Sequence, residues 1–111
     1  MPAGRTLLFL YRRGNGADMQ KIKLANGIRA VIENIPYLHS ASIGVWVLAG
    51  SRYEKAEENG ISHFIEHMLF KGTSRRSAKD IAAQIDNIGG VLNAFTAKEC
   101  TCFYVHLIDE H

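Results

Sequence analysis

Residues 42–72 read SIGVWVLAGSRYEKAEENGISHFIEHMLFKG, and inside that stretch the hydrophobic period changes from that of a strand to that of a helix. From Ser42 to Ala49 the chain is apolar and partly β-branched, with Ile43, Val45, Trp46, Val47 and Leu48 closed by Gly50-Ser51. Such a run predicts a central strand. Arg52 to Gly60 is charged and polar. Ile61 to Phe70 then predicts a helix, with Lys71 at its end and Gly72 just beyond. A cation in the last turn and a glycine past it both suit a helix C-terminus.

Outward from this stretch the signals are local and consistent. Gln20 to Leu24 and Ile28 to Ile32 alternate polar and apolar residues about Asn26-Gly27, which predicts a β-hairpin. A loop containing Pro36 follows. Downstream, Ser77 is placed to cap a second helix with Asp80 in its first turn, and Ile81, Ile85 and Ile88 give it an apolar stripe that stops at Gly89-Gly90. Val91–Phe95 and Thr101–Ile108 predict two further strands, joined by a polar turn at Ala97-Lys98-Glu99. The order β-β-β-α-α-β-β makes this an α+β domain, a mostly antiparallel sheet with two helices packed on one face. Residues 1–18 contain Arg5, Arg12 and Arg13, show no regular period, and are expected to be a disordered or non-native extension. Folded structure is expected over residues 19–111.

At 111 residues the chain is long enough for one domain. Hydrophobic residues at 47% and charged residues at 22% exclude a disordered or collagen-like class. A formal charge of +2 gives no field that argues for nucleic acid or an anionic membrane surface. No apolar run approaches the roughly 18 residues of a membrane-spanning helix. Cys100 and Cys102 are two apart on a predicted strand, where disulfide geometry is unfavourable, so free thiols and a reducing compartment are expected.

The chemistry is concentrated in His63-Phe64-Ile65-Glu66-His67. On a helix, His63 and His67 lie one turn apart on one face and can present two imidazoles to one metal ion. Glu66 lies on the same side but rotated, so its carboxylate can reach a water at the ion without becoming a ligand, as a general base must. Zn2+ suits neutral imidazoles and keeps an open position for chemistry. Ile61, Phe64, Ile65, Met68, Leu69 and Phe70 make this helix apolar on nearly every side, which predicts burial. Burying two imidazoles and a carboxylate there costs several kcal/mol unless a cation compensates. The same pentapeptide arises by chance in roughly one sequence per hundred of this composition, so helical context and apolar surroundings carry the reading.

The motif is the inverted zinc signature, and its surroundings resemble the pitrilysin and insulin-degrading family, in particular the mitochondrial processing peptidase-like branch. The matching residues are Gly50-Ser51-Arg52-Tyr53-Glu54, Asn59-Gly60-Ile61-Ser62, Met68-Leu69-Phe70-Lys71-Gly72-Thr73, Gly89-Gly90-Val91-Leu92-Asn93-Ala94-Phe95-Thr96, then Glu99 and Thr101. They cover essentially residues 20–108. The resemblance implies a zinc metalloendopeptidase acting on peptides or presequences, with His63 and His67 as ligands and Glu66 as base. It implies that Asn93, Ala94 and Phe95 border a cleft where substrate adds as a strand. Arg52 and Glu54 are assigned to packing and ion pairing beside the helix. In the family the third ligand is a glutamate on a later helix, so residues 19–111 resemble a partial N-terminal domain, with the C-terminal part of the same protein as its first partner. Homo- or hetero-oligomers occur among such proteins. The resemblance fits a bacterial cytoplasmic protein, with the mitochondrial matrix as alternative location, and a non-catalytic subunit or structural fragment as alternative role.

Overall fold

The computed structural model describes residues 6–108 and 110. Six strands form one sheet: β1 (Thr6–Arg12), β2 (Asp18–Lys23), β3 (Arg29–Asn34), β4 (Ser40–Val47), β5 (Val91–Thr96) and β6 (Thr101–Ile108). Their spatial order is β2-β3-β1-β4-β6-β5. Neighbouring strands are antiparallel except β1 and β3, which run parallel. Between β4 and β5 the chain makes two 3-10 turns, Ser51–Tyr53 and Ala56–Glu58, then helices α1 (Ile61–Leu69) and α2 (Ala78–Asn87). The α+β class, the mostly antiparallel sheet and both helices agree with the sequence reading.

Local chemistry explains these elements. The β2–β3 hairpin turns at Gly27, whose φ of 86° a side chain would resist, while the Ile28 N–H donates to Asn26 Oδ1 at 3.1 Å. Helix α2 starts in a capping box: the Asp80 N–H donates to Ser77 Oγ at 3.1 Å, and the Ser77 N–H donates to Asp80 Oδ2 at 2.9 Å. The carboxyl of Asp80 is held below its ordinary range, first by the Ser77 hydroxyl and then by the Ser77 amide.

Register assigns the two faces of the sheet. Leu8, Val45, Phe103 and Ala94 follow one another across β1, β4, β6 and β5 on one face. Leu7, Trp46, Cys102 and Phe95 follow across the other. Both helices lie over the first face: Ile65 and Leu69 of α1 meet Val47, Thr101 and Phe103 around a cavity of about 410 Å3. Ile81 and Ile85 of α2 meet Leu92. The second face carries an aromatic row in which Trp46 and Phe95 stack edge-on at 5.5 Å.

Two expectations are corrected. Residues 6–12, read within a disordered extension, form β1 in the interior of the sheet, between β3 and β4. A strand with neighbours on both sides and apolar side chains on both faces shows a continuous apolar run, here Leu7 to Tyr11, in place of alternation. Residues 1–5 lie outside the described residues. The second correction concerns α1, which was expected to be buried and has no buried residue: Phe64 is 61% exposed and Leu69 54%. One sheet face covers one side of the helix, and its apolar side chains stay largely exposed.

Candidate metal centre

Helix α1 brings the predicted ligand pair together. The Nε2 atoms of His63 and His67 stand 3.0 Å apart, with ring centroids 4.5 Å apart. Two nitrogens bound to one tetrahedral zinc at about 2.0–2.1 Å are separated by about 3.3 Å, so the pair fits the ion after opening by a few tenths of an ångström. Both rings are exposed, so an ion reaches them directly from solvent. Neutral imidazoles with converging Nε2 atoms are a donor set suited to zinc. Among the described residues, no group of three or more His, Cys, Asp or Glu side chains is arranged to hold a metal. His106 lies on the aromatic face of the sheet, away from α1, and Asp109 and His111 lie outside the described residues.

Glu66 is half-buried on the same helix, and its Oε2 accepts a hydrogen bond at 2.5 Å from Thr96 Oγ1 at the end of β5. This contact ties the predicted base to the sheet. Thr96 sits in the matched string, but residue-type reasoning gave it no task. The signal was the register: Ala94 and Thr96 share the helix-covered face, so a hydroxyl two residues past Ala94 points toward α1.

Among the described residues, strand β5 is an edge strand, paired on one side only, with β6. Asn93, Ala94 and Phe95 are therefore on an edge that can accept another strand. The Ala94 N–H donates to Asn93 Oδ1 at 2.8 Å. Phe95 points to the opposite face from Thr96, against Trp46 and Tyr104. Its ring lines an apolar hollow of about 610 Å3 with Leu7, Phe9 and Trp46.

The segment before α1 links these parts. Ser51 and Arg52 donate their N–H groups to Ala97 O at 3.2 Å and Lys98 O at 2.8 Å, and Arg52 pairs with Glu99. That ion pair is 60% exposed at both ends and contributes on the order of 0–1 kcal/mol. Glu54 accepts hydrogen bonds from Gly60 N at 2.7 Å and Ser62 N at 2.9 Å. Those amides, Gly60 first, hold its carboxyl below the ordinary range. The reading of Arg52 as an ion-pairing residue agrees with this geometry, and Glu54 is a helix cap.

Cys100 and Cys102 are free thiols, and Cys102 is 1% exposed. Burial, followed by the neighbouring Cys100, pushes the Cys102 thiol up.

A family profile described as Insulinase (Peptidase family M16) matches residues 29–111. A protein of Bacillus subtilis named zinc protease YmxG is 59% identical over 86 residues, which span 78% of this chain and 21% of that protein. The probable mitochondrial-processing peptidase subunit beta of Arabidopsis thaliana is 46% identical over 88 residues, spanning 79% of this chain and 17% of its own length. Among solved structures, a protease from Helicobacter pylori superposes with a TM-score of 0.76 at 26% identity, over 85% of this chain and 22% of that one. The chain spans about a fifth of the length of the curated relatives it matches.

Proposed function

The chain belongs to the insulinase family (peptidase family M16), and from that premise we propose that it carries the zinc-binding pair and the general base of a metalloendopeptidase. The observation that carries the reading is the convergence of His63 and His67 at 3.0 Å, on the same helix as a carboxylate tethered to β5. Zinc, when bound, supplies a Lewis acid that polarises a scissile carbonyl and makes water easier to deprotonate. His63 and His67 hold it through Nε2, which requires both of these nitrogens to be unprotonated. Glu66 takes the proton from the attacking water and returns it to the leaving amine. The Thr96 hydroxyl limits the rotamers of Glu66 by holding its carboxylate at the end of β5. The substrate is a peptide or presequence that adds to β5 along Asn93, Ala94 and Phe95, where main-chain hydrogen bonds align it. The names of the relatives, zinc protease and processing peptidase, support this reaction class.

Two ligands leave the tetrahedral set short by one protein donor, which we assign to chain outside these 111 residues, in keeping with the greater length of the relatives. The 111 residues alone are therefore expected to bind zinc weakly and hydrolyse little. The partners are the remainder of the protein and, after the processing-peptidase relative, a second subunit. The two free thiols fit a reducing compartment such as a bacterial cytoplasm. No described helix is long and apolar enough to cross a membrane.

Metal content of the purified chain, measured with His63→Ala and Glu66→Gln variants, tests the proposal. His63→Ala should lose bound zinc, whereas Glu66→Gln should retain zinc and lose any hydrolysis of a flexible peptide. Equal zinc in the parent and His63→Ala would return the protein to the alternative, a non-catalytic subunit or structural fragment of the same fold.

A further inference from the structure

We infer that Glu54 is a positioning residue, which fixes the rotation of α1 and so decides where His63 and Glu66 point. The inference rests on the metal-centre reading for its consequence, though not for its geometry. Helix α1 starts after Gly60, which adopts φ 90° and ψ 0° and offers no side chain to its own first turn. There is no side-chain bond from the cap position and no acidic residue in the first turn. Exposed amides at a helix start need an acceptor, and the positive end of the helix favours an anion. Glu54 supplies both functions from outside the helix, reaching six residues forward to Gly60 and eight to Ser62.

The other end of Glu54 is anchored. It follows the 3-10 turn Ser51–Tyr53, whose first two amides are bonded to the β5–β6 turn at Ala97 and Lys98. Thr96, immediately before Ala97, holds Glu66. A closed circuit results: β5 end, Ala97 to Glu99, Ser51 to Glu54, Gly60 to Ser62, then His63 and Glu66, and back to Thr96. Packing holds α1 loosely, because Ile65 and Leu69 meet the sheet yet Ile61, Phe64, Ile65, Met68 and Leu69 all stay at least 45% exposed. Polar bonds at its start and at Glu66 add the constraints that complete its orientation. Glu54 connects the start of the helix to the same strand end that holds the base.

The test combines a metal-free and a metal-dependent measurement on the full chain and its Glu54→Ala, Glu54→Gln and Glu57→Ala variants. Without metal, the NOE between the Thr96 methyl and the Glu66 side chain, with amide exchange across Ile61–His67, reads the orientation of the helix. With Co2+, affinity and the visible ligand-field spectrum read the ligand pair. Glu54→Ala should lose the NOE and lower Co2+ affinity about tenfold, the scale of one lost helix cap. Glu54→Gln, which keeps an acceptor oxygen, should recover part of both. Glu57→Ala removes the same charge from a neighbouring exposed site and should match the parent. An unchanged NOE and unchanged α1 exchange in a folded Glu54→Ala or Glu54→Gln chain would overturn the inference. Should Glu54→Ala fail to fold, Glu54→Gln decides. Should the parent chain bind no Co2+, the metal reading fails, and the metal-free measurements alone decide for or against Glu54.

Discussion

Replacing Gly50 by alanine tests the junction between the sheet and the segment leading into α1. Gly50 has φ −151° and ψ −178°, an extended conformation open to any residue, so backbone strain does not explain the glycine. Space does: a Cβ placed there would stand 2.3 Å from Ala97 O and 2.8 Å from both Cys100 N and Lys98 C, all backbone atoms. Ordinary contacts lie near 3.5 Å, so the two segments must separate by about 1 Å. That opening breaks the Ser51–Ala97 and Arg52–Lys98 hydrogen bonds, which now stand at 3.2 and 2.8 Å. Two backbone bonds at about 0.5–1.5 kcal/mol each, with overpacking at about 1–3 kcal/mol, give a destabilisation of about 2–6 kcal/mol. For a domain of this size the melting temperature should fall by roughly 10–25 °C. Circular dichroism melts of Gly50→Ala beside Gly16→Ala, where nothing lies within 4 Å of the added methyl, isolate the steric cause. Equal melting temperatures for the two variants would refute it.

Four further outcomes are expected. Ser77→Ala removes the side-chain cap of α2 and should cost about 1 kcal/mol in urea titration; no change would show that Asp80 caps the helix unaided. Glu54 and Asp80 both have folded-state pKa values below their ordinary ones, so their stabilisation is complete above the carboxylate range and is lost as pH falls through the folded values. Melting temperature should thus drop on acidification below about pH 4, and a Glu54→Gln, Asp80→Asn chain should show a shallower acid limb. Leu8→Asp puts a charge in the middle of β1, beside Val45 and Ala30, and should destabilise the chain by about 2–4 kcal/mol; a change under about 0.5 kcal/mol would remove β1 from the sheet. Glu66→Gln should leave zinc affinity within about twofold of the parent, because its carboxylate is bonded to Thr96 and is proposed as base and not as ligand; a tenfold loss would make it a ligand.

Period and punctuation made most of the fold legible. The Asn26-Gly27 hairpin, the glycine stops at Gly72 and Gly89 and the Ser77 cap are short-range devices, and each is visible within a few residues. Strand β1 was not legible, because a two-sided strand hides its period and its partners Arg29–Asn34 and Ser42–Val47 are far along the chain. The exposure of α1 was misread for a related reason, since composition reports what a helix can bury and not what is present to cover it. Within the site, the His63–His67 pair follows from one helical turn. The Thr96–Glu66 contact spans 30 residues and needs the register of β5. Glu54 had a fainter signal: a helix opening at Asn59-Gly60 lacks its own cap in that backbone conformation, so an acceptor had to come from elsewhere.

The central claim is that two imidazoles one turn apart converge on one divalent ion. Long-range 1H–15N spectra of the histidine rings during Zn2+ titration address it directly, because each ring nitrogen reports its own occupancy. Nε2 of His63 and of His67 should shift together with a single affinity, while His39 and His106 stay where they were. Shifts spread over all the histidines, or a His63 ring that does not respond when His67 does, would contradict it.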